Sequence, residues 1–228
     1  MAESKEAANK ESAGSESASK KAANKEAVKD IKAITEDAKR YKCPVEQGIL
    51  FLDEFIDGPM CGKCLPCPMG SYEMRVRLRR LAAGTGTMGD VDVIKTIAPR
   101  MFETSMCKKG KDTAKFIMDT LENSFSTYET HTQGVCPAKE CKNLVLYTIV
   151  KDRCVSCDDC RQVCKTFAIL GEKRLPYLSG FIPYEIVAKR CTKCGDCLTA
   201  CKYGAIEVVD VVGVGSTAGT AVHCASHG

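Results

Sequence analysis

Apolar residues follow two different patterns, one in each half of the chain. Between residues 45 and 130 they recur at the spacing of amphipathic helices, as Met74, Leu78 and Leu81 do on one helix face. The predicted helices are residues 71–81, capped by Ser71 and ended by Gly84, a second from Asp90 onward, and residues 112–125. Pro99 predicts a bend or an early end in the second helix. A small helical bundle fits this region.

The pattern changes after Cys141. Residues 144–150 and 205–212 are short, β-rich apolar runs, and they bracket two clusters of cysteines. Two strands around two cysteine clusters predict a compact unit of mixed helix and strand. The fold class predicted for the chain is therefore α+β.

Both ends of the chain differ in composition from its middle. Residues 1–40 are dominated by Ala, Lys, Glu and Ser, and helical spacing begins only near Ile31. This predicts a disordered tail, with a helix ordered on a partner surface as the alternative. Residues 213–228 are rich in Gly, Ala, Ser and Thr, and they predict a flexible C-terminal tail.

A glycine pattern in the predicted bundle has two interpretations. Residues 84–89 match GxGxxG, the pattern of dinucleotide-binding loops. That function requires a preceding strand within a βαβ unit, whereas a predicted helix precedes the glycines here. We therefore interpret the segment as a turn between two helices.

The cysteine content sets the chemistry. The 228 residues include 16 Cys, no Trp and only 6% aromatic residues, so apolar packing needs help from a group bound to sulfur. Disulfides would require export, but the N-terminus has no apolar signal region and no run of 18 apolar residues occurs. We expect a cytoplasmic protein with reduced thiols. The net charge of +4, with both signs mixed, argues against nucleic acid as a partner.

One cysteine motif, CxxCxxCxxxC, occurs twice. Its members are Cys154, Cys157, Cys160 and Cys164, and then Cys191, Cys194, Cys197 and Cys201. Three thiolates at two-residue gaps can wrap one face of a [4Fe-4S] cubane, while the fourth ligand comes from elsewhere. A pair of zinc sites, the alternative, needs only two CxxC pairs, so these motifs hold too many cysteines for it.

Residues 141–210 resemble the bacterial two-[4Fe-4S] ferredoxins. In that family each motif lends its fourth cysteine to the other cluster. The resemblance implies one cluster on Cys154, Cys157, Cys160 and Cys201, and another on Cys191, Cys194, Cys197 and Cys164. Lys165 and Lys202 replace the proline that usually follows the fourth cysteine. If these lysines lie near the clusters, their positive charge would raise the reduction potentials. If they point to solvent, they would change the potentials little.

A third motif is Cys61-Gly-Lys-Cys64-Leu-Pro-Cys67, with Cys107 some forty residues on. It resembles the iron–sulfur segment of the NADH-binding flavin subunit of complex I and of NADH-linked hydrogenases. The resemblance implies that these four cysteines hold one [4Fe-4S] cluster in a helical bundle. Pro68 and Met69 replace the arginine and glutamate that often follow the third cysteine, which affects packing and partner contacts rather than ligation.

The order of the motifs supports this resemblance. In bifurcating hydrogenases a CPxxxC segment, here Cys136 to Cys141, leads from the bundle into a two-cluster ferredoxin. The resemblance covers about residues 50–210, and we expect a chain without an NADH- and FMN-binding domain.

Cys43, Cys136 and Cys141 could share a zinc ion, as related hydrogenase subunits do, with His131 or the pair His223 and Cys224 offering the fourth ligand. Buried free thiols are the alternative.

The predicted function is electron transfer without a catalytic centre, because no catalytic signature occurs and a fully ligated cluster has no open position. The expected cofactors are three [4Fe-4S] clusters and a possible zinc. The expected partners are a catalytic oxidoreductase subunit and a flavin- or ferredoxin-linked redox subunit, in a hetero-oligomer without nucleic acid or membrane. Candidate complexes are hydrogenases, formate dehydrogenases and tungsten or molybdenum enzymes such as class II benzoyl-CoA reductase, which use small subunits of this kind.

A free ferredoxin and a zinc-binding structural module are the alternatives. The predicted domains are residues 1–40 (tail), 41–140 (bundle), 141–212 (ferredoxin-like) and 213–228 (tail). Lys108, Lys109, Lys111 and the arginines of residues 75–80 are candidates for docking a partner, although solvated faces are the commoner role of such charges.

Overall fold

The computed structural model describes residues 29–175, 177 and 182–214. Six helices come first: α1 (Ile31–Ala38), α2 (Pro44–Asp57), α3 (Pro66–Ala82), α4 (Met88–Thr104), α5 (Lys108–Asn123) and α6 (Phe125–Thr132). Short elements follow: β1 (Val145–Ile149), α7 (Asp159–Gln162), β2 (Ile169–Leu170), β3 (Glu185–Ile186), α8 (Asp196–Ala200), β4 (Ile206–Asp210) and α9 (Val211–Val214). No helix among these residues is long and apolar enough to cross a membrane.

The first five helices pack in sequence, α1 on α2, α2 on α3, α3 on α4 and α4 on α5. Their apolar faces enclose one core, in which Met74, Leu78 and Leu81 of α3 are fully buried, as their spacing predicts. The core continues through α6, where Tyr128 is also fully buried. A bundle of helices is therefore present in the predicted region.

Two helix boundaries differ from the prediction. Helix α3 begins at Pro66 rather than Ser71, because proline is well suited to a first turn, and Ser71 lies buried inside the helix. Helix α4 does not end at Pro99 but continues to Thr104. Ala98 and Met101 are buried on either side of the proline, and their packing offsets the backbone hydrogen bond that proline removes.

The glycine-rich segment connects two helices, as we interpreted it. Gly84 has a φ of +77° just after α3, and α4 starts at Met88. Thr87 caps α4 through a capping box, in which the Asp90 carboxylate accepts a hydrogen bond from the Thr87 backbone nitrogen at 2.8 Å. Helix α3 stands where a nucleotide-binding loop would need a strand.

The two predicted strands pair with each other. β1 is antiparallel to β4, with Val145 opposite Asp210 and Ile149 opposite Ile206. The second apolar run was predicted to stay extended to Val212, but β4 ends at Asp210 and α9 follows. A second two-stranded sheet, β2 with β3, lies between the cysteine motifs in the sequence.

The described residues thus combine a mainly helical first part with small sheets in the second, in agreement with the α+β class. The helix expected near Ile31 is α1. The remaining predictions for residues 1–28 and 215–228, including those for His223 and Cys224, lie outside the described residues. The division into domains stays a prediction.

Candidate metal centres

Four buried metal-ligand side chains meet where the start of α2 lies beside α6 and the loop that follows α6. Cys43 precedes α2, His131 lies in α6, and Cys136 and Cys141 lie in the loop after α6. Their ligand atoms all lie within 4.8 Å of one another. The His131 Nε2 atom is 3.3 Å from the Sγ atoms of both Cys43 and Cys141. These are the cysteines and the histidine that the sequence proposed for zinc.

The surroundings orient these donors. The His131 Nδ1 atom lies 2.6 Å from the Thr127 carbonyl oxygen, so an Nδ1–H donates there and Nε2 faces the thiols. The Glu140 carboxylate accepts hydrogen bonds from the backbone nitrogens of Lys42 and Cys43, each at 2.8 Å, which ties the loop to α2. One nitrogen and three sulfur donors in a buried group fit tetrahedral zinc.

The pKa values of the thiols in this group are shifted in opposite directions. Hydrogen bonds from Cys141 and Cys43 lower the pKa of Cys136 below its usual range, and hydrogen bonds with Cys136 and Cys43 raise that of Cys141. Burial lowers the pKa of His131, but hydrogen bonds with Cys136 and Cys43 outweigh it and raise the value to about 10. Only Cys136 is thereby stabilised as a thiolate, so binding of a metal would release the protons that Cys141 and His131 hold.

A second group of four thiols lies at the end of the helical bundle. Cys61 and Cys64 lie in the loop before α3, Cys67 lies in the first turn of α3, and Cys107 precedes α5. Burial and, to a smaller extent, the other three thiols of the group together raise the pKa of Cys67 to about 11. The positive ends of two long helices, α3 and α5, favour thiolates at this point.

The space beside these thiols suits a group that offers sulfur as a hydrogen-bond acceptor. The Ser105 hydroxyl is buried and has no hydrogen-bond partner among the described residues. A Cβ atom placed on Gly110 would lie 2.9 Å from the Ser105 Oγ atom and 3.4 Å from the Cys67 Sγ atom. A free hydroxyl donor and a closely packed glycine thus lie next to the Cys67 sulfur, and these residues fit an iron–sulfur cluster.

The remaining eight predicted ligands line two separate small cavities. Cys154, Cys157, Cys160 and Cys201 line one cavity, and Cys164, Cys191, Cys194 and Cys197 line the other. These sets match the crossed pairing implied by the ferredoxin resemblance. Burial and, to a smaller extent, thiols of the same cavity together raise the pKa of Cys160 and of Cys197 to about 11.

The backbone conformation of the first cysteine motif recurs in the second motif, 37 residues later. Ser156 and Lys193 have φ values of +55° and +57°, and Phe167 and Gly204 have values of +50° and +58°. Backbone nitrogens donate to the fourth cysteine of each motif, Ala168 to Cys164 and Ala205 to Cys201, both at 3.3 Å. Such N–H···S contacts stabilise thiolates and suit a metal–sulfur group.

The two repeats differ at one left-handed position. Asp158 has a φ of +81°, whereas its counterpart Gly195 has +87° and no side chain. The buried Asp158 carboxylate accepts hydrogen bonds from Arg161, at 2.6 and 2.8 Å, and from the Tyr184 hydroxyl. The Arg161 guanidinium holds the pKa of Asp158 well below its usual range, and burial raises that of Tyr184 to about 12.

Sequence reasoning missed Asp158, Tyr184 and Ser105. A non-glycine residue where the aligned motif has glycine was the available signal for Asp158. Among the lysines that replace proline, Lys202 is 80% exposed and its ammonium lies 3.6 Å from the Asp159 carboxylate. Lys165 is exposed as well. Their placement favours the interpretation in which both lysines point to solvent.

Comparison with known proteins finds a match to the helical part. Residues 47–131 match the NADH-ubiquinone oxidoreductase-F iron-sulfur binding region. The chain is 35% identical over 136 residues to NADP-reducing hydrogenase subunit HndC of Solidesulfovibrio fructosivorans, covering 59% of this chain and 28% of that protein. It is 33% identical over 67 residues to NADP(+)-dependent formate dehydrogenase subunit beta of Moorella thermoacetica, covering 29% and 10%.

These matches cover only part of each relative, since the chain spans less than a third of the length of either protein. They confirm the predicted resemblance to the iron–sulfur part of complex I-like NADH/flavin subunits. They support [4Fe-4S] binding in the helical part, while the number of clusters and the zinc stay predictions.

Proposed function

We propose that this chain is a non-catalytic subunit that passes single electrons through three [4Fe-4S] clusters to or from a catalytic subunit on another chain. The observation that carries the proposal is the grouping of twelve cysteines into three sets of four, two of them crossed between the repeated motifs. When bound, such clusters supply one-electron redox chemistry. Hydrogenases, formate dehydrogenases and tungsten or molybdenum enzymes such as class II benzoyl-CoA reductase are the candidate complexes.

The chain's own residues would hold and tune these groups. Cys61, Cys64, Cys67 and Cys107 would hold the cluster of the bundle, and the two crossed sets would hold the others. Backbone donors such as Ala168 and Ala205 would stabilise the thiolates. We assign the bundle to residues 41–140 and the ferredoxin-like domain to residues 141–212. Helix α1 adds to the bundle, because it packs on α2 with Ile34 and Ala38 fully buried, so residues 31–38 do not belong to the predicted tail.

We also propose that Cys43, His131, Cys136 and Cys141 bind one structural zinc ion. The proximity of their donor atoms supports this, as does the Thr127 carbonyl that directs the His131 Nε2 atom toward the thiols. The ion would join α2, α6 and the loop that leads into β1. Protein purified without chelators should hold one zinc per chain, and Cys136→Ala should lose it. Absence of zinc from the wild-type protein would favour free thiols.

The proposal is tested by anaerobic purification from the native host, followed by metal analysis and mass spectrometry of the proteins that co-purify. About twelve irons per chain, together with a hydrogenase, tungsten or molybdenum subunit, is the expected result. Cys107→Ala should leave about eight irons, whereas Ser105→Ala, its neighbour in the same loop, should keep all twelve. Few irons with several zincs would indicate a structural module, and an iron-loaded protein arriving alone would indicate a free ferredoxin.

A further inference from the structure

A surface of unusual composition surrounds the thiols at the end of the bundle. Cys61 itself is exposed. Beside it, Leu65 is 70% exposed, Met69 62% and Met106 86%, which is high for large apolar side chains in one neighbourhood. The segments that carry them, at the starts of α3 and α5, meet at the thiol group, since Gly110 of α5 approaches Cys67 of α3. We call this surface, formed by residues 58–72 and 104–111, the docking face.

The docking face continues into an apolar groove. A cavity of about 610 Å³ opens between α3 and α4, and Met69 lines this cavity as well as the docking face. Its lining is mostly apolar, with Pro66, Pro68, Tyr72, Ile97 and Met101, and it also includes one carboxylate, Glu73, and one guanidinium, Arg100. Flexible methionine side chains beside such a groove can adapt to a partner's surface.

The charges of the docking face have one sign. Residues 58–72 and 104–111 contain no Asp or Glu. Their lysines, Lys63, Lys108, Lys109 and Lys111, are all solvent-accessible, and in the described part of the chain none of them forms an ion pair. The face therefore carries four unpaired lysines around an apolar centre, and the nearest carboxylates in the sequence, Asp57, Glu73, Glu103 and Asp112, lie just outside it.

The arginines of α3 behave differently, although the sequence placed them in the same class of docking candidates. Arg75 and Arg79 pair with Asp53, at 3.5 and 2.7 Å. The other two arginines, Arg77 and Arg80, pair with the buried Asp90, at 2.8 and 3.2 Å. Since carboxylates of the same chain already compensate these arginines, they have less to offer a partner than the lysines of the docking face.

We propose that the docking face binds an acidic electron-carrier protein, one whose redox group lies under an apolar patch with Asp and Glu at its rim. This inference rests on the proposed electron-transfer function and names the partner class at one end of the relay. Complementary charge would steer the partner and speed its association, and apolar contact would exclude water beside the exposed Cys61. A basic or neutral carrier would gain nothing from the four lysines.

The test measures electron transfer from a reduced, acidic bacterial ferredoxin to the oxidised, iron-loaded full chain by stopped-flow absorbance. The variant carries K108Q, K109Q and K111Q, and the control carries K32Q, K151Q and K173Q, exposed lysines outside the docking face. Both variants lower the formal net charge from +4 to +1. We expect the second-order rate constant at low salt to fall about tenfold in the first and to change little in the control.

Two further measurements keep the proposal open to refutation. The rate constant of the wild-type chain should fall as ionic strength rises, and Met106→Gln should slow transfer without changing that salt dependence. Equal rates for the two triple variants, or a wild-type rate that salt does not lower, would overturn the proposed docking. Iron content and reduction by dithionite are recorded for every sample. A chain that binds no iron would contradict the proposed electron-transfer function. An iron-loaded chain whose two triple variants react at equal rates would contradict only the proposed docking face.

Discussion

The helices between Ile31 and Thr132 and the shorter elements between Val145 and Asp210 bury different kinds of side chain. The helical part encloses a large core of aliphatic and aromatic residues, including Phe51, Leu78 and Ile94. The second part has a core of five buried residues, and two of them are Cys160 and Cys197. Three further cysteines pack against that small core.

This contrast separates two sources of stability. Apolar burial contributes about 25 cal/mol per Å², so the helical part has a source of stability that does not depend on a bound group. The second part has few such side chains, and its thiols, crowded around two cavities, need a cationic partner to become thiolates together. We therefore expect the helical part to tolerate loss of metal and the cysteine-rich part to depend on it.

Removal of iron should have the largest effect. We expect residues 144–210 to lose their protection against hydrogen exchange, while α2 to α5 keep most of theirs, because only the helical part has a large apolar core besides its thiol ligands. Hydrogen exchange with mass spectrometry, on iron-loaded and chelator-treated protein, measures both regions in one sample. Equal loss of protection in both would contradict the comparison.

A cavity in the helical core should have the next largest effect. Leu78→Ala removes a fully buried side chain of α3 and should lower the free energy of unfolding of the helical part by about 3 kcal/mol. Leu65→Ala, at a position 70% exposed, is the matched control and should cost less than about 0.5 kcal/mol. Denaturant unfolding followed by circular dichroism measures both. A similar cost for the two would show that the helices do not rely on this core.

Asp158→Asn tests whether the cysteine-rich part has a stabilising contact besides its thiols. The pKa of Asp158 is lowered, so its contribution is complete above the ordinary carboxyl pKa and is lost as pH falls below it. At pH 7 the change should cost about 2 kcal/mol, because it weakens charged hydrogen bonds with Arg161 and Tyr184. Denaturant unfolding at pH 7 checks this value against Asp196→Asn, in the other repeat. An unchanged midpoint would mean that ligation alone holds this part.

Ser105→Ala should act on the potential rather than on stability. Its buried, unpaired hydroxyl borders the space beside Cys67, where a hydrogen bond to sulfur would favour the more negative reduced state. Losing about 1 kcal/mol of differential stabilisation should lower one midpoint potential by roughly 40 mV. A potentiometric titration followed by electron paramagnetic resonance measures it. Unaltered potentials with full iron content would place the hydroxyl away from any cluster.

Lys202→Ala should have the smallest effect. A positive charge near a cluster raises its potential, so the substitution should lower one midpoint. Because the lysine is 80% exposed and near Asp159, the shift should stay below about 10 mV. The same titration detects it. A much larger shift would mean that the ammonium lies closer to the sulfur than its exposure indicates.

Local rules predicted the helical faces well but not every boundary. The spacing of Met74, Leu78 and Leu81 identified the buried face of α3, because a helix repeats every 3.6 residues whatever it packs against. The continuation of α4 past Pro99 was not predictable in this way, since it depends on neighbouring helices that bury Ala98 and Met101. Likewise, β4 stops at Asp210 although the apolar run continues, because β1 pairs with it only from Val145 to Ile149.

The sequence by itself determined the kind of chemistry. Cysteine spacing specifies which thiols share a loop, and the repeat of 37 residues specifies that two loops take the same backbone path. Only the tertiary structure decided which distant groups meet. Cys43 reaches His131, Tyr184 reaches Asp158, and the arginines of α3 find carboxylates while the lysines beside Cys107 find none among the described residues. Spacing along a chain constrains neighbours within a few residues, whereas contacts between remote residues follow from how the elements pack.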